Sequence, residues 1–152
     1  MHRRFSIITV LFLTIGGHGS NAAQEAPSIV GTWRLVEFTN YRDGEPVKPF
    51  GEEPIGYFFY TENGYLSIQI LKSPPPESLD DFRVDFRNQP SYVGYFGRYR
   101  VDRQRSVVVH QVEGGTVLDY IGTDQERPFR FEEDRLIIGV KGQWERALER
   151  VR

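Results

Sequence analysis

The spacing of turn-forming residues constrains this chain more than any other feature. From about residue 30 onward, short runs rich in Val, Ile, Tyr and Phe alternate with Asn-Gly, Asp-Gly, Gly-Gly and Pro clusters. Runs that short fall below the usual length of a helix, and β-branched and aromatic side chains suit a pleated surface, so the pattern predicts consecutive antiparallel strands. Eight are expected, near residues 30–39, 55–61, 64–71, 92–101, 106–113, 124–132, 135–140 and 143–150. Glu62-Asn63-Gly64, Asp102 to Arg105 and Glu133-Asp134 mark turns between them. Strands adjacent in sequence tend to pair in space. A row of eight leaves two open edges. Closing it removes both and leaves a bore wide enough for one small ligand. The expected fold is therefore all-β, an eight-stranded antiparallel up-and-down barrel, preferred over a two-sheet sandwich that would need a long crossover.

The one long connection, residues 72–90, carries Pro74-Pro75-Pro76 and then Ser78 to Arg87. Ser78 is a good N-cap, Asp80 and Asp81 favour the helix dipole, and Leu79, Phe82 and Phe86 fall at i, i+3 and i+7. One short amphipathic helix is expected there. Its apolar stripe needs cover, which an open barrel end would supply, either as a plug completing the core or as a mobile lid over a cavity.

The first 23 residues have a different character. His2, Arg3 and Arg4 precede the apolar run Phe5 to Ile15, which gives way to small and polar residues ending Ser20-Asn21-Ala22-Ala23. This reads as a secretory signal peptide cleaved after Ala22 or Ala23. The apolar run is about half the length needed to cross a bilayer, so no integral membrane association is expected once it is removed. Residues 24–152 then form a single barrel domain of an exported protein, periplasmic or secreted. Loss of Arg3 and Arg4 takes the 19 basic residues to 17 against 21 acidic ones, a net charge of −4. Such a balance gives no footprint for nucleic acid.

The chain has no cysteine, and without the leader His110 is its sole histidine. Thiolate chemistry and multi-histidine zinc sites are thereby excluded, and no metal is expected. There is no Gly-rich phosphate loop, no Gly-x-Ser-x-Gly elbow and no calcium-loop spacing, so no cofactor is implied.

Strand alternation picks out candidate binding residues. In 124–132, Gln125, Arg127, Phe129 and Phe131 share one face while Asp124, Glu126, Arg130 and Glu132 share the other. An arginine on the phenylalanine face points inward. Burial of an unpaired guanidinium costs several kcal/mol, so Arg127 needs a carboxylate, carbonyls, water or a ligand anion beside it, either within an internal ion pair or as the anchor for a ligand's polar or carboxylate head group. In 92–101, Tyr95, Tyr99 and Val101 oppose Arg98 and Arg100, with Gly97 where a strand can bend. Val107, Val108 and Val109 occupy both faces of their strand, so His110 is inward in one register and solvated in the other. On strand 64–71, Ser67 and Gln69 oppose Leu66, Ile68 and Ile70, and either side fits the interior.

Several blocks carry a family likeness. Gly31-Thr32-Trp33 opens the first strand, and Gln143-Trp144-Glu145-Arg146 lies in the last. Between them come Pro54-Ile55-Gly56-Tyr57 with Tyr60 to Gly64, Tyr95 to Tyr99, His110 to Glu113, and Gly122 to Gln125 with Arg127. In order and content the series resembles the bacterial and fungal lipocalin-like domain family over nearly the whole chain after the leader. The resemblance implies a small closed barrel with an internal pocket and no obligatory cofactor. It further implies structural roles for Trp33 and Arg146, the arginine of the closing strand lying over the first-strand tryptophan.

Three functional readings follow. The first is an exported protein that encloses a small, largely apolar or amphipathic molecule, its polar or acidic head group oriented by Arg127, Gln125, Tyr95, Tyr99, His110 and Gln69, with Phe129 in the wall. The second is a cofactor-independent isomerase or cyclase in the same cavity, with the phenols or His110 moving protons. The third is a filled barrel acting through its outer surface on an envelope partner.

Overall fold

The computed structural model of the chain describes residues 27–84 and 90–152. The leader therefore lies outside the described residues. Nine strands run in chain order: β1 (Gly31–Arg42), β2 (Glu45–Val47), β3 (Ile55–Tyr60), β4 (Tyr65–Leu71), β5 (Tyr92–Asp102), β6 (Val107–Gly115), β7 (Asp124–Glu132), β8 (Arg135–Val140) and β9 (Trp144–Arg150). From β3 to β9 each strand pairs antiparallel with the next, β3 pairs with β1, and β1 pairs with β9. Eight strands thus close into a barrel, as the turn spacing predicts. The three-residue β2 is an addition: it folds back on the end of β1 through Asp43-Gly44, pairing Arg42 with Glu45 and Asn40 with Val47 outside the closed ring.

Inward faces follow the period-two pattern. Phe58 and Tyr60 on β3, Leu66, Ile68 and Ile70 on β4, Val93 and Tyr95 on β5, Val108 and Val112 on β6, and Leu136 and Ile138 on β8 form one buried cluster. Gly97 lies where β5 bends past β6; a Cβ there would sit 2.0 Å from the Gln111 carbonyl oxygen, so no other residue fits. A bulge in β1 between Leu35 and Glu37 shifts its alternation, turning Phe38 inward after Trp33 and Leu35.

One end of the barrel is packed shut. Trp33, 2% exposed, meets Phe131 at 6.2 Å between ring centroids, Phe131 meets Phe129 edge-on at 5.9 Å, and Tyr60 meets Tyr99 edge-on at 5.1 Å. The cation across Trp33 is Arg150, its guanidinium carbon 4.2 Å from the ring centroid, and not Arg146 as the family likeness implies. Arg150 donates to the carbonyls of Val30 at 2.7 Å and Ser28 at 2.5 Å, tying down the approach to β1. Gly31 beside it holds φ +136°, a backbone conformation that residues with a side chain rarely adopt, which accounts for the glycine of Gly-x-Trp.

The amphipathic helix expected over 78–87 does not form in its described part. A single 3-10 turn, Leu79–Asp81, ends at an extended Phe82, and residues 85–89 lie outside the described residues. Leu79 is 89% exposed, so it neither plugs nor covers the barrel. A lone turn or two of helix is marginal without packing, and here the chain finds a better partner: Phe82 stacks on Tyr92 at 6.0 Å while the Arg83 carbonyl accepts from the Ser91 and Tyr92 amides at 2.7 and 3.2 Å.

Candidate functional site

The end of the barrel opposite Trp33 is hollow. A cavity of about 520 Å³ reaches solvent at a rim formed by Asn40, Arg42 and Gln143. Its walls are apolar where Phe38, Ile68, Ile70, Val93 and Ile138 turn inward, and polar where β5, β6, β7 and β9 bring Tyr95, His110, Arg127 and Arg146 together. A volume of this size suits a small organic ligand.

Register explains the polar group. His110 on β6 is paired with Tyr99 of β5 and Gln125 of β7, and Val108, one inward position away, is paired with Arg127. His110 is thus inward and 1% exposed. Its Nε2 lies 2.9 Å from Tyr60 Oη and its Nδ1 3.0 Å from Tyr95 Oη. Burial, reinforced by the nearby Arg127 charge, pushes the His110 pKa down to about 3, so the ring is neutral at physiological pH. Burial also pushes Tyr95 up to about 12, against the pull of Arg127 beside it, and raises Tyr60 well above the usual phenol range.

The two arginines are held without acids. Arg127 is half-buried, its guanidinium carbon 5.2 Å from the Tyr120 ring centroid and 5.7 Å from that of Trp144. It donates to the Glu126 carbonyl at 3.1 Å and to Gln125 Oε1 at 3.3 Å. Arg146 lies over Phe38, its guanidinium carbon 3.2 Å from the ring centroid, and one of its nitrogens donates to the Thr39 and Glu145 carbonyls at 2.9 and 3.0 Å. Burial, with Arg127 adding repulsion, pushes its pKa down to about 9. A guanidinium gives up its proton very reluctantly, so Arg146 stays charged at neutral pH despite its burial. No Asp or Glu lines the cavity, and among the described residues neither arginine forms an ion pair, whereas Arg130 on the outer face holds Glu132 and Glu145 at 2.7 and 2.5 Å.

The sequence pattern of the lipocalin-like domain family matches residues 30–150. The chain belongs to that family. A comparison with curated proteins gives no match. A hollow barrel of the lipocalin-like type is an architecture for binding small molecules. Among the described residues of this lipocalin-like domain, no three His, Cys, Asp or Glu side chains are grouped to hold a metal ion, and no helix is long and apolar enough to cross a membrane.

Of the residues singled out from sequence, Tyr95, His110 and Arg127 meet in this cavity. Gln125 stands behind them, orienting Arg127 while it donates to Thr123 Oγ1 at 2.7 Å. Tyr99 and Phe129 belong instead to the packed end, where the Tyr99 hydroxyl donates to the Thr61 carbonyl at 2.7 Å. Gln69 is on the outer face of β4, bonded to Ser67 and Tyr92, because Leu66, Ile68 and Ile70 take the inward positions. Arg146 moves from a structural role to the cavity wall.

The strand pattern does not single out Tyr60, Tyr120, Trp144 or Phe38. A signal for Arg146 and Trp144 exists in β9, where both alternate with Glu145 and share the face of buried Leu148. Tyr120 ends the 3-10 turn Leu118–Tyr120 in the β6–β7 connection, where no periodicity marks it.

Proposed function

We propose that this lipocalin-like domain binds a small, largely apolar molecule carrying an acidic head group, with the head group between Arg127 and Arg146 and the apolar body against Phe38, Ile68, Ile70, Val93 and Ile138. The observation that carries this reading is the charge of the lining: three arginines, Arg42 among them, and no carboxylate. Two guanidinium groups drawn partly out of water without an anion are unfavourable, and an entering carboxylate relieves them through charge-assisted hydrogen bonds. In keeping with the basic start and apolar run of residues 1–23, we propose that the protein acts after export, which N-terminal sequencing of the periplasmic or secreted product tests.

Binding is measurable without knowledge of the natural ligand. Trp144 lines the cavity and Trp33, the other tryptophan, is at the packed end, so quenching of Trp144 fluorescence reports occupancy. With 2-naphthoate and its neutral carboxamide as probes, Arg127→Leu is expected to weaken the acid by about 1.5–3 kcal/mol and to leave the amide nearly unchanged. Equal losses for the two probes reject the head-group role.

A further inference from the structure

Elimination assigns the hydrogen-bond directions beneath the cavity. Tyr60 is 1% exposed, and its hydroxyl has one hydrogen-bonding partner among the described residues, His110 Nε2 at 2.9 Å. A neutral imidazole has one N–H and one bare nitrogen, and a phenol has one proton to give. With the ring proton on Nε2, that N–H would point at the Tyr60 oxygen, and the Tyr60 proton would be buried without an acceptor. Buried donors of that kind are rare because they are costly. With the ring proton on Nδ1, both the imidazole and Tyr60 are satisfied: Tyr60 donates to Nε2, and Nδ1–H donates to Tyr95 Oη across 3.0 Å.

In that tautomer the Tyr95 oxygen accepts from His110 Nδ1, and the nearby Arg127 charge favours electron density on it. The Tyr95 proton itself has no acceptor on the protein among the described residues, and Tyr95 lines the cavity. We propose that the Tyr60–His110 pair holds Tyr95 as a hydrogen-bond donor into the cavity, so that the head group meets only donors, from Tyr95, Arg127 and Arg146, and is a carboxylate. The proposal rests on the acidic head-group reading and narrows it: an alcohol, an amine or a protonated acid brings a donor of its own to a position faced by the donors of Tyr95, Arg127 and Arg146, whereas the amides of Asn40 and Gln143 stand at the rim. The neutrality of His110 supports the same picture, since an imidazolium would donate at both nitrogens and force Tyr60 to accept.

Long-range ¹H–¹⁵N correlation spectroscopy of the uniformly labelled full chain tests this directly. The His110 resonances are assigned by their absence from the spectrum of a His110→Gln variant. The expected pattern is that of the Nδ1–H tautomer. An Nε2–H pattern overturns the proposal, whatever the protein binds. A second arm uses Tyr95→Phe, which removes the donor and keeps the ring. It should weaken 2-naphthoate about tenfold, the effect of one hydrogen bond to a charged acceptor, and unchanged binding also overturns the proposal. The two readings fail separately. If Arg127→Leu discriminates acid from amide but His110 carries its proton on Nε2, the donor assignment alone falls; if Arg127→Leu weakens both probes alike, the head-group reading itself falls.

Discussion

Arg146 and Arg150 lie four residues apart on one face of β9, each on an aromatic ring, and yet they do opposite things. Arg150 covers Trp33 at the packed end, and the chain at Ser28 and Val30 supplies carbonyls to both of its terminal nitrogens. Arg146 covers Phe38 at the hollow end, where two carbonyls share one nitrogen and the charge is left facing a cavity. Residue type, strand and face are the same. The difference lies in what arrives from elsewhere in the fold: at one end the residues preceding β1 complete the guanidinium's hydrogen bonding, and at the other the described residues leave that task open. A cation with complete partners holds a structure together, and one with incomplete partners is available to a ligand.

Removing a large side chain should separate the two ends most strongly. Trp33→Ala at the packed end is expected to lower stability by about 3–5 kcal/mol, measured as a shift in urea unfolding at constant slope, whereas Trp144→Ala at the half-buried rim should cost clearly less while removing the binding signal. Comparable losses at both ends would mean that the hollow end is as tightly packed as the other.

Acid is the next lever. The unfolded chain protonates His110 below about pH 6.5, whereas the folded chain refuses the proton until about pH 3. Between those values the unfolded state binds more protons, so stability falls as the pH drops, by about 1.4 kcal/mol per unit from this group, and its contribution is complete above pH 6.5. Urea unfolding of the protein and of a His110→Gln variant at pH 7 and pH 4.5 isolates that slope, which the variant should lack. Equal slopes would place His110 in water.

The finest test sets the two arginines against each other. Arg150→Met should lose about 0.5–1 kcal/mol with acid binding intact. Arg146→Met should leave stability unchanged or raise it, because an uncompensated charge is replaced by a flexible apolar chain, while 2-naphthoate binding weakens. Losses distributed the other way round would exchange the roles of the two residues.

Much of this arrangement is legible in the sequence. Turn dipeptides delimit strands because few residues tolerate those backbone angles, and the Arg127 face follows from Phe129 and Phe131 at two-residue spacing on a strand whose other side is charged. His110 has no readable orientation, since Val107 and Val109 are buried on the outer side of β6 as Val108 is on the inner side, and apolar residues on both faces erase the alternation. The motif resemblance misplaces Arg146, although its alternation with Leu148 already points it toward the interior. The helix expected over 78–87 has good local features and no tertiary surface to receive Leu79, information that a local pattern does not contain. The Tyr60–His110–Tyr95 contacts join β3, β6 and β5, which only the register of the closed barrel brings together.

If the hollow end is built for an anion, the unaltered protein must prefer 2-naphthoate to 2-naphthamide, and the ratio of those two affinities is the decisive quantity. Titrated by Trp144 quenching at pH 7, the acid should bind at least about tenfold more tightly than the amide, the least that a charge-assisted hydrogen bond in a partly desolvated site contributes. Equal affinities, or a preference for the amide, would mean that the cavity arginines serve the barrel and not an anionic ligand.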